Sequence, residues 1–465
     1  MILSTTPSFN PDPIQIRMSE VIAALSYALD LTGGQPAGHA SRSCLLGMRV
    51  ARELRLPVAD SSALFYGLLL KDLGCSTNAS KMCYLFGADD QPTKAASKTV
   101  DTDSLGPRLG YIARHIAPGG SMLQKAAQFA KVAMAGPGVA RELIEMRCER
   151  GAKIARDLHL PDATAIAIRA LDEHWDGRGH PDGLRGEGIP LLARILGLAQ
   201  TVEVFASTYG VAAAYDMARE RRGTWFDPEL VDVFESFRTD AAFWATFAAD
   251  DVKRAVVAFE PVDQTMSVDE AALDRIAYGF AQVIDAKSPW TYMHSEGVAT
   301  IAAGLANTLG LPPAQVRDIR RAGLLHDVGK LGVSNLILDK PGKLDADEIA
   351  AMRKHTGYTY QLLQQVAGFR HLAPLAAAHH ERLDGKGYHL GLTADELDTP
   401  ARILAVADMY EALTAKRPYR QDLTNEAVVD ILNRNALSGG ICPTILDALK
   451  SWVAAGGYVP VPVAA

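Results

Sequence analysis

The chain has 465 residues, of which 48% are apolar and 22% charged, and its formal net charge is −7. That length allows two or three domains, and the composition excludes a chain that is mainly disordered, collagen-like or of low complexity. A mildly acidic balance with no long Lys/Arg run argues against a nucleic-acid polymer as partner. Residues 1–16 show no basic start followed by an apolar run, so no signal peptide is expected. Apolar periodicity at three- and four-residue spacing predicts helices over residues 21–29, 42–56, 271–284 and 298–309. Strand-like alternation is scarce, so the expected fold class is all-α. Pro and Gly stand at the helix ends, as in Leu56-Pro57 and Gly310-Leu311-Pro312. No apolar run is long enough to predict a membrane span. The five cysteines, Cys44, Cys75, Cys83, Cys148 and Cys442, form no CxxC pair and no disulfide framework. A cytoplasmic protein is expected.

The helical segments fall into a long internal repeat. His39 lies 18 residues before Pro57, and His294 lies 18 before Pro312. Lys71-Asp72 and His326-Asp327 each begin 32 residues after their histidine, at an offset of 255 between copies. Met146-Arg147 matches Met352-Arg353 at 206. Asp176-Gly177-Arg178-Gly179-His180 matches Asp384-Gly385-Lys386-Gly387-Tyr388 at 208, as Arg194-Ile195-Leu196 matches Arg402-Ile403-Leu404. The fall from 255 to 206 leaves 49 extra residues in the first copy, between Cys75 and Met146. Two tandem helical domains are expected, 1–262 with an insertion near 76–145, and 263–465. The boundary is placed at the polar stretch around Glu260–Gln264.

Seven of the 12 histidines lie in one window of 96 residues, His294 to His389. Asp408 sits within the apolar run Ile403-Leu404-Ala405-Val406-Ala407, where an unpaired carboxylate is costly to bury and a metal removes that cost. Imidazoles and carboxylates without thiolate suit a first-row divalent ion such as Fe, Mn, Ni or Zn. Two ions sharing one Asp would use about this many ligands. A water bridging them would be hydroxide near neutral pH, a nucleophile for phosphorus. Lys330 would be a fixed cation for charge developing on phosphate oxygens.

These residues resemble a known family. His326-Asp327-Val328-Gly329-Lys330 is similar to the signature of the HD superfamily of metal-dependent phosphohydrolases. The segment His379-His380-Glu381-Arg382-Leu383-Asp384-Gly385-Lys386-Gly387-Tyr388-His389 resembles the HHExxDGxGYP segment of its HD-GYP branch. Residues 407–420, from Ala407-Asp408 to Pro418-Tyr419-Arg420, resemble that branch's third signature. The resemblance covers about residues 270–455. It implies an HD-type helical fold and hydrolysis of cyclic dinucleotides, chiefly cyclic di-GMP. It implies two divalent ions, Fe or Mn first and Ni or Zn next, one held by His294, His326, Asp327 and Asp408. The other would be held by Asp327, His355, His379 and His380, with Asp327 bridging. Asp327 and Lys330 are thereby the catalytic candidates. Tyr388, Arg417 and Arg420 match positions that contact substrate. His371 matches no motif and is read as structural. Some members hold a third metal through a Glu where this chain has Trp290, so two ions are expected. The proline of GYP is His389, in a loop that supplies none of the proposed ligands.

In the first copy His39 and Asp72 remain. Lys71, Glu149, Leu171-Asp172 and Gln200 replace His326, His355, His379-His380 and Asp408, and Cys75 replaces Lys330. A degenerate domain that folds without catalysing is expected, serving dimerisation, regulation or cover for an apolar face. Two other functions stay open: an HD phosphohydrolase of other nucleotides or phosphomonoesters, and a non-catalytic nucleotide-binding signalling protein. A homodimer is a candidate assembly.

Overall fold

The computed structural model describes residues 17–101, 104–136, 138–260, 269–291, 293–415 and 423–457. Among them are twenty-three α-helices and no strand, so the fold is all-α as expected. The four predicted helices are present as Met18–Thr32, His39–Glu53, Glu270–Asp285 and His294–Thr308. The second begins and ends three residues earlier than predicted. Its backbone leaves the helix at Arg55, which has φ of 55°, and Leu56 precedes a proline that disfavours helical geometry before it. Gly310, at the matching place in the second half, takes the same left-handed turn with φ of 73°.

Side chains start the helices that carry the histidines. Asp345 accepts from Glu348 N at 3.0 Å while Glu348 Oε2 accepts from Asp345 N at 2.8 Å, a capping box for Ala346–Gln364. Asp398 accepts from Ala401 N at 2.9 Å and starts Thr399–Thr414.

In the second half, His294–Thr308 packs on Pro313–Leu325 and on Thr399–Thr414. In the first half, His39–Glu53 packs likewise on Val58–Leu70 and on Leu191–Tyr209. One apolar core runs through both halves, from Met18 to Leu449. Further contacts join them: Gln91 Nε2 donates to Leu331 O at 3.0 Å, and Gln282 Nε2 to Asp157 Oδ2 at 3.2 Å. Glu260, read from sequence as the polar start of a linker, is buried; it accepts from Ser19 Oγ at 2.5 Å and Tyr66 Oη at 2.9 Å. Residues 261–264 lie outside the described residues. Leu191–Tyr209 is long and apolar enough to cross a membrane, yet 67% of its most apolar window is buried in the core. Its apolarity is that of a central core helix.

The extra residues of the first half form Ala79–Phe86, Asp90–Ser97, Leu105–His115 and Met122–Ala135. They bury a separate small cluster that includes Met82, Phe86, Tyr111 and Leu143.

One glycine in each half fixes how closely two elements approach. A Cβ at Gly329 would overlap His355 O, and one at Gly74 would overlap Arg147 O. The turn after His326-Asp327 therefore presses directly on the helix that carries His355. Gly329→Ala is expected to cost about 1–3 kcal/mol, the usual range for overpacking, and to displace His355. Thermal unfolding and metal content of the variant check both effects.

Candidate metal centre

Six of the seven proposed ligands are carried on or just after five helices, and Asp327 lies at their meeting point. His294 opens His294–Thr308, His326 ends Pro313–Leu325, and Asp327 begins the 3-10 turn that follows. His355 lies within Ala346–Gln364 and Asp408 within Thr399–Thr414. His379 and His380 follow the short helix Ala373–Ala377. His294, His326 and Asp327 offer ligand atoms within 4.8 Å of one another, and so do His355, His379 and His380.

The Asp327 carboxylate stands between these groups. Its Oδ2 lies 3.5 Å from His294 Nε2 and 3.3 Å from His326 Nε2. Its Oδ1 lies 3.5 Å from His355 Nε2 and 3.7 Å from His379 Nε2. Asp408 closes the far side, with Oδ1 3.3 Å from His294 Nε2 and Oδ2 3.7 Å from His380 Nδ1. The shorter of these separations match the edges of a coordination polyhedron, since ligand atoms about 2.1 Å from one ion stand roughly 3–3.5 Å apart.

The donor chemistry fits a cation. His326, His355 and His379 each place Nδ1 2.7 Å from the carbonyl three residues back, respectively Gly323, Met352 and Ala376. That contact makes Nδ1 the protonated nitrogen and aims the Nε2 lone pair inward. Nε2 of His326 and Oδ1 of Asp327 are buried without a hydrogen-bond partner among the described residues. A buried polar atom left so is costly, and an ion would satisfy both. Burial pushes His355 down to about 3 and His380 to about 4, and holds His379 well below its usual range. These imidazoles are neutral, as ligation requires. Burial alone would raise Asp327, but Lys330, His326 and His294 outweigh it and hold the carboxyl well below its usual range. Burial also opposes charge on His294, and Glu411, Asp327 and Asp408 reverse that and raise it.

The remaining site residues divide clearly. Lys330 Nζ lies 2.5 Å from Asp327 Oδ2. Tyr388 packs its ring 4.8 Å from that of His380, at the edge of the same cluster. Arg417 and Arg420 lie outside the described residues. His371 stays out of the cluster; its side chain is 54% exposed and faces Asp318. His389 takes a left-handed φ of 105°, unusual for a non-glycine residue. The loop is nonetheless anchored, because Glu381 accepts from Leu390 N at 2.8 Å and Leu392 N at 3.0 Å.

Three neighbours escaped the sequence reading. Glu411 accepts from His294 Nδ1 and so orients that ring. Asp285 binds Ser295 Oγ at 2.6 Å and holds the start of the His294 helix. Arg353 lies over the Tyr388 ring, with Cζ 5.0 Å from its centroid. Glu411 was detectable in principle, three residues after Asp408 on one helix face, and Glu203 repeats it in the first half on His39.

The family model for the HD domain matches residues 138–230 and 280–445. The chain is 41% identical over 433 residues to 3′3′-cGAMP-specific phosphodiesterase 3 of Vibrio cholerae serotype O1, covering 93% of this chain and 94% of that protein. This chain belongs to the HD-GYP-type HD phosphohydrolases. A crystal structure of a cyclic GMP-AMP-specific phosphodiesterase of V. cholerae superposes with a TM-score of 0.64 at 36% identity, covering 95% of this chain and 98% of that one. A cyclic di-GMP phosphodiesterase of Pseudomonas aeruginosa is 42% identical over 135 residues, 28% of this chain and 32% of that protein. HD phosphohydrolases are metal-dependent, in keeping with the donor set around Asp327.

In the first half one ligand position is taken by Lys71, and cations pair with the carboxylates there. Lys71 Nζ pairs with Asp72, and Lys98 Nζ donates to Asp72 Oδ1 at 3.2 Å. Arg147 pairs with Asp172. The HD-GYP loop survives there: Glu173 accepts from Asp182 N at 2.7 Å and Leu184 N at 2.8 Å, as Glu381 does in the second half.

Proposed function

We propose that the second half is a phosphodiesterase that opens a cyclic dinucleotide at a binuclear centre, with 3′3′-cGAMP as preferred substrate. The observation that carries this reading is the single carboxylate of Asp327, with Oδ1 facing His355 and His379 of a three-histidine group and Oδ2 facing His294 and His326. One ion would take His294, His326, Asp327 and Asp408, and the other Asp327, His355, His379 and His380. Two divalent ions there, Fe or Mn first, supply Lewis acidity and an activated water. Hydrolysis adds water across one P–O ester bond, so one oxygen joins phosphorus and the leaving ribose oxygen takes a proton. Lys330 is assigned to balance charge on the phosphoryl oxygens, Tyr388 to pack against the substrate, and Arg417 and Arg420 to pair with its phosphates. The sequence alone puts cyclic di-GMP first. The near-full-length relative named for 3′3′-cGAMP moves the preference, and the shorter relatives named for cyclic di-GMP keep it as the second reading.

We read the first half as a degenerate copy, since Lys71, Lys98 and Arg147 neutralise the carboxylates a metal would need. All five cysteines are free and buried, which supports a reducing, cytoplasmic setting.

Turnover of 3′3′-cGAMP, cyclic di-GMP, cyclic di-AMP and linear dinucleotides by protein prepared without oxygen tests the assignment. Faster cleavage of cyclic di-GMP than of 3′3′-cGAMP would reverse the preference. Failure on every cyclic substrate with metals bound would favour the signalling-protein alternative. Arg417→Ala should lower kcat/KM for the cyclic substrate by about 10- to 100-fold, the worth of one charged hydrogen bond. It should spare bis(p-nitrophenyl) phosphate, which has no second phosphate to hold. Equal losses on both would place Arg417 in support of the fold.

A further inference from the structure

A cavity of about 500 Å³ lies in the first half. Its floor is the degenerate site itself: Cys75, Arg147, Asp172, His180 and Gln200 line it, and each stands where the second half has a proposed site residue or its neighbour. Its walls come from the extra helices and the start of Val139–Asp157 and are apolar, with Met82, Phe86, Phe129 and Leu143 among them. Leu109 and Phe129 also line it and are 45% and 47% exposed, so its mouth is open and greasy. A volume in this range suits a small molecule.

The charges define the head group. Lys94, Lys98, Arg108 and Arg147 all line the cavity. The carboxylates that meet Lys94, Lys98 and Arg147 are Asp90, Asp72 and Asp172, and Asp72 is shared with Lys71. The Arg108 side chain, partly buried, has no hydrogen bond or ion pair among the described residues, so positive charge is in excess and the Arg108 guanidinium is left without a carboxylate. Gln200 and Asn78, 8% and 9% exposed, also line the cavity, and each buries a side-chain oxygen with no partner among the described residues. A bound cyclic dinucleotide would set polar groups against the apolar walls at Met82, Phe86, Phe129 and Leu143.

We infer that the first half is a binding site for an amphipathic monoanion, an acyl chain or apolar ring system bearing one carboxylate, seated in the former catalytic pocket. The apolar body lies along Met82, Phe86, Phe129 and Leu143, and the carboxylate meets the unbalanced cation. Loss of the metal ligands and gain of the extra helices thus turn one pocket from phosphoester chemistry to lipid-like recognition. This assignment does not depend on the substrate of the second half.

Calorimetric titration of the full chain with monomeric dodecanoate, dodecanol and 3′3′-cGAMP tests it. Dodecanoate should bind with one site per chain beyond any site used by the cyclic dinucleotide. Dodecanol, lacking the charge, should bind about tenfold more weakly, and Arg108→Gln should weaken dodecanoate about as much while leaving dodecanol unchanged. Ala140→Trp, at an exposed lining position, should abolish dodecanoate binding by filling the mouth, and Ala133→Trp does the same from the neighbouring helix if the first variant unfolds. Absence of dodecanoate binding overturns the proposal. So does binding that is indifferent to both the charge and the tryptophan substitutions, or a 3′3′-cGAMP site that the tryptophan variants remove.

Discussion

Asp327→Ala should yield a protein that holds neither ion and shows no measurable phosphodiesterase activity. The carboxylate faces His294 and His326 with one oxygen, and His355 and His379 with the other. Removing it leaves each histidine group short of an anionic ligand and unlinks the two. It also leaves the Lys330 ammonium, 2.5 Å away, facing an electropositive site with its counter-charge gone. Metal analysis gives one readout, and unfolding with and without chelator gives another. Ligands bound only by the folded state stabilise it by mass action, about 2.7 kcal/mol at a hundredfold excess over Kd. A chelator should therefore lower the unfolding temperature of the native protein and leave Asp327→Ala unmoved. Full metal content in the variant would refute the bridging role.

Lys330→Ala should lower kcat by about 10- to 1000-fold with the metals retained, the range seen when one charge-stabilising group is removed. The lysine sits on the 3-10 turn Val328–Gly332, and its side chain is only 18% exposed. That turn is held by Gly329, whose N donates to Thr359 Oγ1 at 3.0 Å, and the ammonium is paired with Asp327 Oδ2. Its pairing with Asp327 also helps keep that carboxylate ionised. The two duties separate in the measurement. A fall in kcat with unchanged metal content reports transition-state charge, whereas parallel loss of metal reports support of Asp327. Lys330→Arg should recover part of kcat, because the charge is kept and only its placement shifts.

Much of the site was legible because its motifs are local. His326-Asp327 and His379-His380 are adjacent pairs at helix ends, and the repeat fixed which residues of the first half correspond to them. The outer residues were hidden for the opposite reason. Glu411 matters through His294, 117 residues away, and Asp285 through Ser295 across a helix junction. Glu260 looked like linker because a lone acidic residue beside Pro261 carries no sign of burial; its partners Ser19 and Tyr66 are some two hundred residues distant. The predicted 42–56 helix overran because apolar spacing continued through Leu54 and Leu56 while the backbone had already turned at Arg55.

Taken by itself, the sequence determined the all-α class, the places of the main helices and the internal repeat, and its motifs carried the resemblance that implies the ligand set. The first three rest on spacing along the chain, and helical periodicity converts spacing directly into a shared face. Only the tertiary structure decided which oxygen of Asp327 faces which histidines, and which cations close the first site. It alone showed that the extra helices enclose an apolar cavity over that site. Those features arise from side chains brought together from distant segments, whose pairing and burial are set by how the helices pack and not by their order in the chain.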